Sequence, residues 1–411
     1  AEPMSGVTVS GGSFSGSINN AGINFNFVAG DLNLSDVTAA DNFGDNLDVD
    51  ITGNVTMTRG SFSRSSNGYG VDVRAVGGDL SLTDVTASDN FRENLHADDV
   101  DGNLTISGGT FSGSATNEGI NINRVAGDLH LTDVTVDNNS ADNLDLDDVT
   151  GNVAITRGSF SGSANGYGID VRRVGGNATL TDVAADDNSR ENLRADDVDG
   201  TLTISGGSFS GSVTNEGINI NRVGGDLHLT DVTADNNSAD DLDVDDVTGS
   251  VAIASGSFSG SANGYGIDVR RVGGNVTLTD VTANANPDSN LRADDVDLDV
   301  TISGGSFSGS VNSEGINLNR VGGNVSATDV IADGNDDSNL RAAGVDLDVT
   351  ISGGSFSGSV NSEGINLNRV GGNVSATDVI ADGNDDSNLR AAGVDLDVTI
   401  SGGSFSGSVN S

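Results

Sequence analysis

Apolar residues along this chain come in short bursts at i, i+2, separated by Gly, Asn, Asp and Ser: Leu104 and Ile106, then Phe111, then Ile120, Ile122 and Val125. That is the period of a strand with two different faces, not of a helix. The bursts recur. Gly102–Val125 written above Gly127–Val149 aligns Leu104 with Leu129, Ile106 with Leu131, Phe111 with Val136, Ile120 with Leu144, Ile122 with Leu146 and Val125 with Val149. Three strands and three bends therefore fill one rung of 24–25 residues, and two rungs make a 49-residue repeat marked by Phe14, Phe62, Phe111, Phe160, Phe209, Phe258, Phe307, Phe356 and Phe405. The first interval is 48 residues and each later one is 49, so no insertion interrupts the series after Phe62.

Strands that return at this interval can pair in parallel with their equivalents one rung away and close into a coil. With its pattern VxI…GxF…GIxVxxV, the chain resembles the right-handed parallel β-helix, the pectate-lyase-like architecture, from about Val7 onward. The resemblance implies an all-β solenoid of about 17 rungs; exported adhesins and surface fibres share that architecture. The repeats divide it into a lead over 1–6, N-terminal rungs over 7–100, two copies of a 98-residue, four-rung unit over 101–296, and near-identical 49-residue repeats over 297–411, all one continuous solenoid.

The bends carry small and amide residues. Gly22, Gly70, Gly119, Gly168, Gly217 and Gly266 precede the third strand in the Phe-bearing rungs, and Asn46, Asn94, Asn143, Asn192 and Asn290, with Asp241, do so in the others. A second corner carries Gly30, Gly53, Gly78, Gly102 and Gly127, until Leu298, Leu347 and Leu396 replace it. Such residues predict left-handed backbone at both corners. The Phe column predicts a core in which Gly158 and Phe160 of one rung face Val183 and Ala185 of the next, a large side chain beside an empty position against two of middling size.

Charge narrows the partners. There are 61 Asp plus Glu against 18 basic residues, all Arg, for a net charge of −43. Nucleic acid and anionic membranes need a basic footprint that this chain lacks. No run of 18 apolar residues occurs to span a bilayer. There is no Cys, and the start at Ala1, Glu2 and Pro3 fits a chain released by signal-peptide cleavage, so an extracellular or cell-surface location is expected.

The acidic residues are ordered. Asp48 falls beside Asp72, Asp145 beside Asp170 and Asp243 beside Asp268 on adjacent rungs. Like charges one rung apart need compensation. Either Arg172, Arg194, Arg270 and Arg292 supply it, or calcium binds at the pairs, with Asp147 or Asp245 joining. A second file alternates Arg124, Asp148, Arg173, Asp197, Arg222, Asp246, Arg271, Asp295 and Arg320, an exposed ladder worth little per pair. No other cofactor is implied. Catalysis is not expected: polysaccharide-cleaving β-helices build clefts from long inserted loops, which are missing between Phe62 and Phe405, and His96, His130 and His228 read as outward and solvated.

Two surface features remain. Thr56/Thr58, Thr105/Ser107, Thr179/Thr181, Thr203/Ser205, Thr277/Thr279 and Thr301/Ser303 resemble the Thr-x-Thr arrays of ice-binding β-solenoids, although His130, Ala154, His228 and Ala252 interrupt them. Phe27, Phe43 and Phe91 stand where later rungs carry Arg124, Ser140 and Ser189, and the last copy stops at Ser411 with no altered capping sequence. Unpaired strand edges invite pairing. The expectation is an extracellular structural protein that self-associates into a filament, sheath or matrix fibre, with Phe27, Phe43, Phe91 and Ser411 at the assembly interface; a monomeric adhesin stalk, binding a polysaccharide or other surface ligand, or an ice-binding solenoid is the alternative.

Overall fold

Leu104–Ser107, Thr110–Ser112 and Ile120–Val125 are the three strands of one turn, each pairing in parallel with its equivalents in the turns before and after. The computed structural model describes residues 6–410, and its chain divides into two compact units, 1–200 and 201–411. Each unit is a parallel β-solenoid. The division falls close to the junction of the two 98-residue copies. Third strands run from Ile23–Val28 to Leu193–Val198 in the first unit and from Ile218–Val223 to Leu389–Val394 in the second, which gives about 16 turns where the sequence suggested 17. Among the described residues no helix is long and apolar enough to cross a membrane.

Register follows the alternation. Leu104, Leu129, Val153 and Ala178 pair in succession and point inward, as do Ile120, Leu144, Ile169 and Leu193. Phe62, Phe111 and Phe160 in the first unit, and Phe209, Phe258, Phe307 and Phe356 in the second, are fully buried. Phe14 is more than a third exposed and Phe405 half-buried, each in an outermost turn. Phe62 lies between Ala39 and Ala87, so large and small residues interleave along the axis. Gly158 belongs to this packing, because a Cβ there would come within 2.4 Å of Cε2 of Phe160.

The corners depart from expectation. The glycines before the third strand are not left-handed; Gly119 is required because a Cβ would lie 2.3 Å from Nδ2 of Asn139 and 2.8 Å from the Asn143 carbonyl. The second-corner glycines are likewise crowded by the backbone of the turn below, as at Gly53 against Gly30. Left-handed angles fall instead on Asp36, Arg59, Asp84, Asp133 and Arg157 after the first strand, and on Arg124, Asp148 and Arg173 just before the last Val of the third. That position drops out of the pairing register, so the charged side chain is turned out at a bulge.

The asparagines at the third-strand corner are interior. Asn42, Asn46, Asn90, Asn94, Asn139 and Asn143 are at most 1% exposed. In the first unit Asn46 Nδ2 donates to Asn90 Oδ1 at 2.9 Å, Asn90 to Asn94 at 2.8 Å, Asn94 to Asn139 at 3.0 Å and Asn143 to Asn188 at 3.0 Å. Asn139 Nδ2 also donates to the Phe111 carbonyl, and its Oδ1 accepts the Ser114 amide, so the ladder satisfies backbone groups at the bend. The second unit carries the same ladder through Asn286, Asn290, Asn335, Asn339 and Asn384.

Candidate functional site

The third strand turns residues i and i+2 outward beside a deep corner, and the acidic pairs meet there. Asp48 pairs with Asp72, Asp145 with Asp170, and Asp243 with Asp268. Arginines bridge them. Arg74 contacts Asp48 and places Nε 3.5 Å from Asp72. Arg172 contacts Asp145 and places Nε 3.6 Å from Asp170, which also lies 3.4 Å from Arg194. In the second unit Arg270 reaches Asp243 at 2.6 Å and Asp268 at 3.5 Å, and Arg292 reaches Asp268 at 3.1 Å and Asp294 at 2.8 Å. Arg74 was not among the partners read from the sequence.

Burial sets the electrostatics. Asp170 and Asp268 are each 1% exposed, and desolvation pushes Asp170 up to about 7 and Asp268 to about 6 against the pull of their arginines. Asp170 Oδ1 accepts no hydrogen bond. Asp240 brings a further carboxylate within 4.8 Å of Asp243 and Asp268. His96 takes the place of an arginine above Asp72. Its Nδ1 is 2.8 Å from Asp72 Oδ1 and its ring stacks on Tyr69 with centroids 5.1 Å apart. Burial opposes the imidazolium, the hydrogen bond and charge of Asp72 outweigh it, and the His96 pKa is raised. His96 is thus outward but half-buried and paired, not solvated.

The alternating file forms ion pairs within each unit. Arg173 contacts Asp148 in the first and Arg271 contacts Asp246 in the second, with about half of each arginine exposed. The first-strand face carries the hydroxyl array. In the second unit Thr277/Thr279, Thr301/Ser303, Ser326/Thr328, Thr350/Ser352, Ser375/Thr377 and Thr399/Ser401 stand in unbroken register. In the first unit His130 and Ala154 interrupt it.

Phe27, Phe43 and Phe91 are exposed as expected, Phe27 most of all at 86%. They are not all at one corner: Phe27 sits at a left-handed position near the end of its third strand, whereas Phe43 and Phe91 lie in the bend before it. Ser411 lies outside the described residues. Comparison of the chain with known protein families, with curated proteins and with solved structures finds no match.

Proposed function

We propose that this chain is a non-catalytic structural repeat protein, a building block of an extracellular filament, sheath or matrix fibre. One observation carries the reading: the third strands pair turn after turn in the same register, as a unit repeated for length would. Its acidic surface keeps such a body solvated, and an edge of parallel strands can take a further rung. In the last described strand, Val398 and Ile400 are about half exposed, and a rung of the same kind would bury them, whether from the chain's own continuation or from a second copy. Contacts of that kind do not close and therefore propagate. Electron microscopy at low and high salt tests this. Fibres with an axial repeat support the reading, and isolated particles at every concentration remove it.

A second reading rests on the six uninterrupted hydroxyl pairs between Thr277 and Ser401, whose in-register array of hydroxyls suits ordered water. Thermal hysteresis in a freezing assay supports it, and growth of unmodified ice crystals removes it.

A further inference from the structure

Glu118 lies in the bend before a third strand, in a corner lined by carboxylates. Oxygen atoms of Glu118, Asp142 and Asp145 all lie within 4.8 Å of one another. That spread is twice a calcium–oxygen distance of about 2.4 Å. Glu93 is 6% exposed, its Oε2 accepts no hydrogen bond, and its charge acts on Glu118 more strongly than any other. The nearby amides donate to its neighbours: Asn117 Nδ2 to Glu93 at 3.0 Å, and Asn121 Nδ2 to Asp145 at 3.4 Å.

The same bend four repeats later shows what a glutamate here requires. Glu314 Oε2 accepts from Ser313 at 2.8 Å, Asn317 at 3.2 Å and Ser289 at 3.3 Å, and Arg341 stands 3.8 Å from its other oxygen. Glu363 repeats the arrangement with Ser362, Asn366, Ser338 and Arg390. Around Glu118, Glu93 stands in place of Ser289 and Asp145 in place of Arg341, and Asp142 adds a carboxylate where the Glu314 turns have Ser338, which donates to Glu363 and not to Glu314. Two of the four partners, Ser289 and Arg341, have become carboxylates, while Asn117 and Asn121 stand in place of Ser313 and Asn317. Arg172 neutralises Asp145 but makes no ion pair with Glu118.

We propose that Glu118, Asp142 and Asp145, with Glu93 behind them, bind a hard divalent cation, calcium. Oxygen ligands from two successive turns, with Glu93 on the turn before, meet calcium's demand for many oxygens in flexible geometry better than the strict octahedron of magnesium. Without the ion the Glu118 carboxyl is pushed up to about 7, by burial first and then by the charges of Glu93, Asp142 and Asp145.

The test is calorimetric titration of the full chain with calcium chloride at physiological ionic strength, where a Debye length of about 8 Å suppresses diffuse ion binding to exposed acids. Saturable binding is expected, weakened at least about tenfold, or 1.4 kcal/mol, in Glu118→Gln and Asp142→Asn but not in Asp101→Asn at an exposed bend. Glu93→Ser/Asp142→Ser/Asp145→Arg copies the chain's own later turns and so is expected to fold. Calcium should no longer raise its unfolding temperature. Absence of saturable binding to the unaltered chain, or binding undiminished in these variants, would overturn the proposal.

Discussion

The turns around Glu118 and those around Glu314 share a backbone, a register and a glutamate, yet one corner gathers four carboxylates and the other surrounds its glutamate with hydroxyls, an amide and a guanidinium. A repeat fold permits this because the corner side chains lie outside the apolar column and outside the asparagine ladder. Each turn contacts mainly its neighbours, so surface chemistry can change without renegotiating the core. What the two corners share should therefore cost the same to remove, and what differs should respond to pH.

The largest effect is expected in the shared ladder. Asn139→Ala strands the Phe111 carbonyl, the Ser114 amide and the side-chain amides of Asn94 and Asn143. Asn335→Ala does the same to Phe307, Ser310, Asn290 and Asn339. At about 1–3 kcal/mol for each buried orphan, either change should cost about 4 kcal/mol or more in urea unfolding. A much milder loss at Asn335 would mean the later turns do not depend on the ladder.

Asp241 is where that ladder changes chemistry. Its Oδ1 accepts from Asn237 at 2.9 Å, as an asparagine's would, but its Oδ2 has no partner, whereas Asn290 uses its Nδ2 to donate to Asn335. Only a protonated Oδ2 could donate likewise. Burial, reinforced by the charges of Asp235 and Asp240, holds the Asp241 carboxyl up at about 8. The folded chain thus keeps a proton that the unfolded chain releases near pH 4, and stability is lost as pH rises from there through about 8. Asp241→Asn removes that slope. It should stabilise by on the order of 2–4 kcal/mol at pH 7, with the gain shrinking toward pH 4, as read by unfolding across that range. An equal gain at every pH would show that Asp241 is not the titrating group.

Glu118 carries the same sign with a smaller size. In calcium-free solution stability should fall as pH rises from about 5 through 7, as the raised Glu118 and Asp142 carboxyls, at about 7 and about 6, lose protons that the unfolded chain has already released. Solvent at this half-buried corner keeps the slope below about 1.4 kcal/mol per pH unit. Glu93→Ser/Asp142→Ser/Asp145→Arg, which imports the Glu314 surroundings, should flatten part of it. An unchanged slope would mean that the two corners do not differ in the way their side chains suggest.

Much of this was legible in the chain. Alternation at i, i+2 and the Phe column gave strands, register and core, and aligning the two half-repeats set Asp145 beside Asp170. The bends resisted. Asn139 and Asn143 are four residues apart, and Asn139 and Asn94 forty-five, a spacing no strand period suggests, so interior amides read as residues chosen for backbone angle. Gly119 was misjudged for the same reason, since its small size serves the Asn139 side chain. Glu118 and Asp142 meet in a bend, where alternation assigns no neighbours, and only the folded chain joins them.

The smallest effect separates two accounts of the alternating file. Arg173 is half exposed, pairs with Asp148, and sits at φ 53°. A surface pair contributes about 0.2–1 kcal/mol, whereas a left-handed angle costs a non-glycine residue roughly 1–2 kcal/mol. In the later repeats Gly344 and Gly393, at φ 68° and 65°, take the aspartate's place in the column, while Arg369 keeps the arginine at φ 58° without that partner. Arg173→Gly loses the pair but relieves the angle, and should stay within about 1 kcal/mol of the unaltered chain at low salt, moving toward greater relative stability as salt screens the pair. A loss above about 2 kcal/mol would show that the ion pair, not the backbone, shapes this corner. The pair would then be a structural element of the early turns, of which the later ones keep the arginine and replace the aspartate with glycine.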